Sequence, residues 1–295
     1  MGKSILWRAH LALFMVALIY GANYFIAKNV MAKELISPNG FIMLRIMAGA
    51  VLFTGFHTLF VREKIDWKDL PYLSLCAISG VAVNQLFFFQ GLKLTSTIHS
   101  SLIMTVTPIL VLVFSRLLIK ERPNVEKIIG VVMGFSGAVW LIIRSANGLS
   151  DARSDFWGDI YILINASSYG IYLVLVRKMI MKYNVFTVTK WIFLIGVLLV
   201  APFGLQDAID ARYKDFDILN WYSLIYVLFC TTFLTYLFNA YALSRVMPST
   251  VSIYIYLQPL IAGLLGIVFL NEVLHWPVAF AGTLIFLGVY LVSKK

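Results

Sequence analysis

The sequence predicts an all-α integral membrane protein, with ten transmembrane helices arranged as two inverted five-helix repeats. Three observations predict it: a composition too apolar for water, ten apolar runs of membrane-crossing length, and a second half that repeats the punctuation of the first. Of 295 residues, 61% are hydrophobic and 13% charged, and the mean hydropathy is +0.87. A soluble domain is about half apolar and a quarter charged, so lipid must solvate much of this surface. The 22 Phe and 15 Tyr fit rings placed at headgroup level. The net charge of +10 does not point to nucleic acid, because the basic residues fill short gaps between apolar runs, where they orient helices. Cys76 and Cys230 lie in apolar stretches and read as buried free thiols, not a disulfide.

In chain order the runs cover 11–30, 40–61, 71–92, 97–118, 127–144, 157–177, 185–203, 220–242, 249–270 and 277–293. Each is close to the roughly 20 residues that cross the hydrocarbon. The first lacks a small-residue cleavage site and is followed by further spans, so it reads as a retained helix. The longest connections, 144–156 and 204–220, leave no room for a soluble domain.

Lysine and arginine placement sets the orientation. With the N-terminus in the cytoplasm, fifteen fall inside: Lys3, Arg8, Arg62, Lys64, Lys68, Arg116, Lys120, Arg122, Lys127, Arg177, Lys178, Lys182, Arg245, Lys294 and Lys295. Seven fall outside: Lys28, Lys33, Lys93, Arg144, Arg153, Arg212 and Lys214, while Arg45 and Lys190 lie within runs. Both termini are therefore expected in the cytoplasm.

A shift of 151 residues lays GLKLTSTIHSSLIMTVTP (91–108) over ALSRVMPSTVSIYIYLQP (242–259) without a gap. Leu92 meets Leu243, Ser101 meets Ser252, Pro108 meets Pro259, Glu121 meets Glu272 and Gly137 meets Gly288. Tyr20-Gly21 matches Tyr169-Gly170 at an offset of 149. Matching punctuation at one spacing is the residue of a duplication. The repeats are placed at 1–145 and 146–295. Five spans per copy is an odd number, so the second copy enters the bilayer from the opposite side, an architecture that puts a binding site near mid-membrane between the copies.

Pro108 and Pro259 sit within apolar runs and lack an amide donor, which frees the carbonyls of Met104 and Ile255. An unpaired carbonyl in hydrocarbon is costly, so each kink must face protein or a wet cavity. Thr105 and Thr107 precede one proline, and Tyr256 and Gln258 the other. Cavity lining and a kink repaired by a hydroxyl both fit.

The pattern resembles the EamA-type members of the drug/metabolite transporter superfamily. The resemblance spans the chain: YGANYFIAKNVM (20–31) with SPNGFIMLRIMAGA (37–50), then GLKLTST…TPILVLVFSRLLIKE, then ALSRVMPST…QPLIAGLLGIVFLNE. Where Trp-Gly is commoner in the first helix, this chain has Tyr20-Gly21. The resemblance implies two inverted five-helix bundles and a central cavity walled by helices 1, 3, 4, 6, 8 and 9. It also implies alternating access and outward movement of small metabolites such as amino acids across a bacterial inner membrane. It does not specify the substrate.

Helical spacing gives cavity candidates independently. Run one offers Tyr20, Asn23 and Tyr24, and run three offers Asn84, Gln85 and Gln90. In run six Tyr161, Asn165, Ser168 and Tyr172 share a face, as do Thr231, Thr235 and Asn239 in run eight, with Tyr236 beside them. Thr105, Tyr256 and Gln258 complete the substrate-binding set, with His99 at the outer rim as a candidate gate. Interhelical hydrogen bonding serves the hydroxyls equally well; the amides Asn23, Asn165, Asn239 and Gln258 point to the pore. Arg45 lies near the outer end of its run, where snorkelling competes with a buried role. His57 reads as interfacial. No Asp or Glu lies deep in a run, which argues against a carboxylate proton relay.

His10, His57, His99 and His275 are scattered without metal-ligand or triad spacing, and nothing resembles a Walker A loop. No enzyme activity, metal or cofactor is expected. The expected partners are a small-molecule solute and the lipid bilayer, with no nucleic acid. Gly130, Gly134 and Gly137, with Gly282 and Gly288, suit close packing inside a monomer, though a homodimer face fits too. A channel for small polar solutes is the competing reading, since it also needs a polar interior.

Overall fold

The computed structural model describes residues 3–32, 35–119, 125–146, 155–271 and 274–293. Among them every regular element is helical, which satisfies the backbone within each segment, as hydrocarbon requires. The rods are α1 (Lys3–Ala32), α2 (Pro38–Phe56, prolonged by a π turn His57–Val61) and α3 (Leu70–Ala77, Ile78–Val83, Asn84–Leu94). Next come α4 (Thr97–Met104, Thr107–Ile119), α5 (Val125–Ala146), α6 (Phe156–Lys182) and α7 (Val185–Ile209). Then follow α8 (Ile218–Tyr226, Val227–Leu234, Thr235–Leu243), α9 (Pro248–Ile253, Tyr254–Leu257, Gln258–Leu270) and α10 (Trp276–Ser293). Eight rods are long and apolar enough to cross a bilayer; α5 and α10 contain the shorter apolar stretches Ile128–Gly137 and Trp276–Gly288.

Polar caps fix where the rods begin. Ser37 accepts from the Gly40 amide at 3.0 Å with Pro38 opening α2, and Ser96 accepts from the His99 amide at 3.1 Å. Asp155, Asn184 and Asp217 cap α6, α7 and α8 in the same way. The proline-bearing rods are discontinuous. In α4 the first segment stops at Met104 and a new one starts at Thr107, with Pro108 in its first turn. In α9 a 3-10 turn, Tyr254–Leu257, precedes the segment that holds Pro259 in its first turn. Proline is tolerated there because its missing N–H would have no intrahelical acceptor.

The packing is symmetric under exchange of the two halves. α2 lies against its counterpart α7, and α5 against its counterpart α10. The contact of α3 with α6 is matched by α8 with α1, and that of α4 with α6 by α9 with α1. The π segments Ile78–Val83 of α3 and Val227–Leu234 of α8 begin 149 residues apart, so even this irregularity is repeated.

Glycines make the α5–α10 seam. A Cβ on Gly288 would stand 2.5 Å from both the Gly130 carbonyl oxygen and the Gly134 nitrogen, and one on Gly137 would stand 2.9 Å from the Ala281 oxygen. The small residues of these helices are therefore used within the chain. Cys76 and Cys230 are free, with Cys76 buried but Cys230 only half-buried, a correction to the expectation of two buried thiols.

Candidate functional site

A cavity lies between the rods, nearer the end that carries the α3–α4 turn. Its lining comes from α1 (Tyr20, Asn23, Tyr24), α2 (Arg45), α3 (Asn84, Gln85, Phe88), α4 (Met104), α6 (Asn165, Tyr169) and α9 (Gln258). About 50 Å³ is open to molecules the size of water, room for a few of them. Three lining amides, Asn23, Gln85 and Asn165, are each 2% exposed, and their side-chain oxygens accept no hydrogen bond from the described residues. Buried amide oxygens without a donor are rare in folded proteins, because each forfeits about 1–3 kcal/mol of solvation.

The remaining polar edges hold the helices together. Asn165 donates to the Asn84 carbonyl at 2.5 Å, and Asn84 donates back to the Asn165 carbonyl at 3.4 Å, locking α6 to α3. Tyr24 donates to Gln258 at 3.3 Å, tying α1 to α9. Gln85 donates to the Tyr236 hydroxyl at 3.2 Å, and that hydroxyl donates to the Gly80 carbonyl at 2.6 Å. Gln85 and Tyr236 are 151 residues apart, the repeat offset, so two equivalent positions meet where the halves face each other. Tyr236 thereby supplies a partner to a carbonyl inside the π segment of α3.

Of the side chains expected to line the cavity, Tyr20, Asn23, Tyr24, Gln85, Asn165 and Gln258 border it. Others form a second ring. Thr235 donates to the Tyr20 hydroxyl at 3.1 Å and Asn239 to the Tyr169 hydroxyl at 3.1 Å. Tyr172 stacks on Tyr169, with centroids 6.0 Å apart, and leans on Tyr236 at 6.2 Å, so rings fill the bundle from the cavity toward the C-terminal end of α6. α8 thus stands behind the wall, and α2 enters it through Arg45.

Several expectations are corrected. Gln90 is spent on Asn39, donating at 2.8 Å away from the cavity. Thr105 donates to the Leu102 carbonyl within its own helix and Ser168 to the Ser79 carbonyl at 2.6 Å, both repairs of backbone groups. Tyr256 is half-buried and is not among the lining residues. Arg45 does not snorkel: it is 3% exposed, with Nε donating to Thr232 at 2.7 Å and Nη2 to the Thr231 carbonyl at 2.8 Å. His57 is buried, its Nε2 sharing a hydrogen bond with the Glu63 carbonyl at 2.9 Å.

The largest correction concerns His99 and Asp159. The histidine is 1% exposed rather than on a rim, and its Nδ1 lies 3.3 Å from Asp159, which is fully buried and accepts from Thr95 at 2.6 Å. A carboxylate three residues from the end of an apolar run passes for a surface group. Here the α3–α4 turn folds over it, with the Asp155 backbone amide donating to the Leu94 carbonyl at 3.1 Å. Stranding one partner of a buried hydrogen-bonded pair costs about 1–3 kcal/mol, so His99→Leu should lower the thermal unfolding midpoint. The double variant with Asp159→Asn should recover part of that loss, and equal midpoints for single and double variants would deny the coupling.

The sequence as a whole matches the EamA-like transporter family twice, over residues 7–143 and 156–294. The chain belongs to the EamA-like transporter family. The two matches fall on the two halves that the contacts relate, and they make this a multi-pass membrane transporter protein. An uncharacterised transporter of Archaeoglobus fulgidus is 26% identical over 288 residues, 98% of each chain. A probable terminal-alkyne amino-acid exporter of Streptantibioticus cattleyicolor is 22% identical over 228 residues, 77% of this chain and 74% of its own. A chain solved by crystallography superposes with a TM-score of 0.67 at 18% identity, covering 97% of this EamA chain and 96% of its own, a likeness of fold.

Proposed function

We propose that this EamA chain is a ten-span secondary carrier that moves small metabolites, such as amino acids, out across a bacterial inner membrane. Both termini lie in the cytoplasm, and the two inverted halves rock about the central cavity to expose it to either side in turn. One observation carries the reading. Six rods drawn from both halves converge on a cavity where the amide oxygens of Asn23, Gln85 and Asn165 accept no hydrogen bond from the described residues. Three such oxygens gathered around one cavity suit a site that leaves acceptors for a ligand. Tyr172 stacks on Tyr169 and tilts against Tyr236, and in this reading those rings bar the cavity from the cytoplasm.

The test is counterflow in proteoliposomes against amino acids, nucleosides and sugar derivatives. Asn165→Ala and Gln258→Ala should each cut the flux of the accepted solute about tenfold, the worth of one hydrogen bond to a charged group. Their size-exclusion profiles should match wild type. Unchanged flux in both variants removes the cavity as the binding site, and flux that fails to saturate favours a channel.

A further inference from the structure

The cavity contains a fixed positive charge that the protein itself does not neutralise. Arg45 is 3% exposed and borders the void. It donates to the Thr232 hydroxyl at 2.7 Å and the Thr231 carbonyl at 2.8 Å, faces the Phe89 ring with 5.4 Å from the guanidinium carbon to the centroid, and shares a hydrogen bond with the Tyr20 hydroxyl. All are neutral. Among the described residues no carboxylate lies within ion-pair distance of Arg45.

Guanidinium stays charged in a protein and carries five N–H donors in a planar fork that matches a carboxylate. A buried charge is ordinarily paired, because desolvating it alone costs several kcal/mol. The bonds to Thr232 and Thr231 engage Nε and Nη2, so a guanidinium that borders the cavity keeps further N–H donors. Among the described residues no acidic side chain lines the void, so a purely cationic solute would meet the like charge of Arg45 there.

We propose that the transported solute carries a carboxylate, and that Arg45 binds that carboxylate inside the cavity. The inference rests on the cavity being the carrier's binding site. The unpaired oxygens of Asn23, Gln85 and Asn165 then receive a donor group on the same solute, such as an ammonium. Arg45 sets the charge that the site accepts, and the amides set what stands opposite it.

The experiment uses the full chain, purified in detergent and reconstituted. Four series are compared as competitors of counterflow and as thermal stabilisers: alanine, threonine, leucine and phenylalanine, each with its amide and with the amine lacking the carboxylate. In at least one series the acid should bind tenfold or more tighter than its amide, the worth of a charge-assisted bond. Arg45→Gln should level that ratio, whereas Arg45→Lys should weaken binding while keeping the preference. Thr232→Val removes a clamp on Arg45 but not the charge, so it should keep the preference; a purely structural Arg45 would make it resemble Arg45→Gln.

The wild-type comparison needs no variant to fold. Amides or amines that match the acids in every series overturn the proposal, as does silence from all four acids. A carboxylate preference that survives Arg45→Gln overturns it too. A nucleoside or neutral sugar carried with flux that falls in Asn165→Ala sinks the carboxylate and leaves the carrier standing. Flux indifferent to both Asn165→Ala and Gln258→Ala sinks the carrier reading of the cavity itself.

Discussion

Gly288→Leu is expected to undock α10 from α5 and to cost about 3 kcal/mol or more of stability. The reason is what the new side chain would strike. Its Cβ would lie 2.5 Å from the Gly130 carbonyl oxygen and from the Gly134 nitrogen. Those are backbone atoms of a helix, and no rotamer change can move them aside. The two helices would have to separate, giving up the close approach that holds membrane helices together when no hydrophobic force acts between them. Thermal unfolding in detergent reads the loss. Gly263→Leu is the control, because a Cβ there meets nothing within 4 Å, so the same change in an apolar helix should leave the midpoint where it was. Equal losses at both positions would show that leucine harms these helices generally, and that the seam is not special.

Tyr236→Phe is expected to impair transport about tenfold or more while preserving the bundle. The substitution keeps the ring, which packs edge-on against Phe193 with centroids 4.8 Å apart, and removes the hydroxyl. That oxygen serves two partners at once, accepting from Gln85 at 3.2 Å and donating to the Gly80 carbonyl at 2.6 Å. Without it, the Gly80 carbonyl in the π segment of α3 loses the Tyr236 hydroxyl, and Gln85, whose oxygen accepts nothing from the described residues, loses its amide bond as well. Each stranded group costs about 1–3 kcal/mol. Gln85 borders the cavity, so the damage falls on the site. Counterflow together with a melting curve separates the two effects, and a variant that transports normally would show that the Gln85–Tyr236 contact is incidental.

The bundle was legible in the sequence because lipid imposes simple demands. Run length and composition mark the spans, and the shared offset of Pro108 with Pro259 and Gly137 with Gly288 marks the two copies. The site was legible only in part. Helical spacing groups residues on a face, but it does not say which neighbour that face meets. In α6 the grouping of Asn165, Ser168 and Tyr172 was rotated by a step: Asn165 and Tyr169 look into the void, while Ser168 bonds to α3. In the sequence Tyr169 reads only as a mark of the repeat. Phe88 and Met104 are apolar and carry no signal in an apolar run. Arg45 looked like a residue near a helix end, and nothing local distinguishes a snorkelling arginine from one turned inward. Asp159 and His99 are 60 residues apart, and their pairing exists only because the α3–α4 turn crosses the start of α6.

The wide turns in α3 and α8 bear on how such a bundle could move. A π segment holds one residue more than an α-helix of equal length, and that surplus can pass along the rod by exchanging neighbouring backbone bonds. Moving it past Asn84 and Gln85, or past Thr235 and Tyr236, would swing those side chains about 100° around the axis, the angle of one helical residue. Both ends of the rod would stay anchored. The twin irregularities thus give each half a way to turn its polar groups toward or away from the void without lifting a helix out of its place.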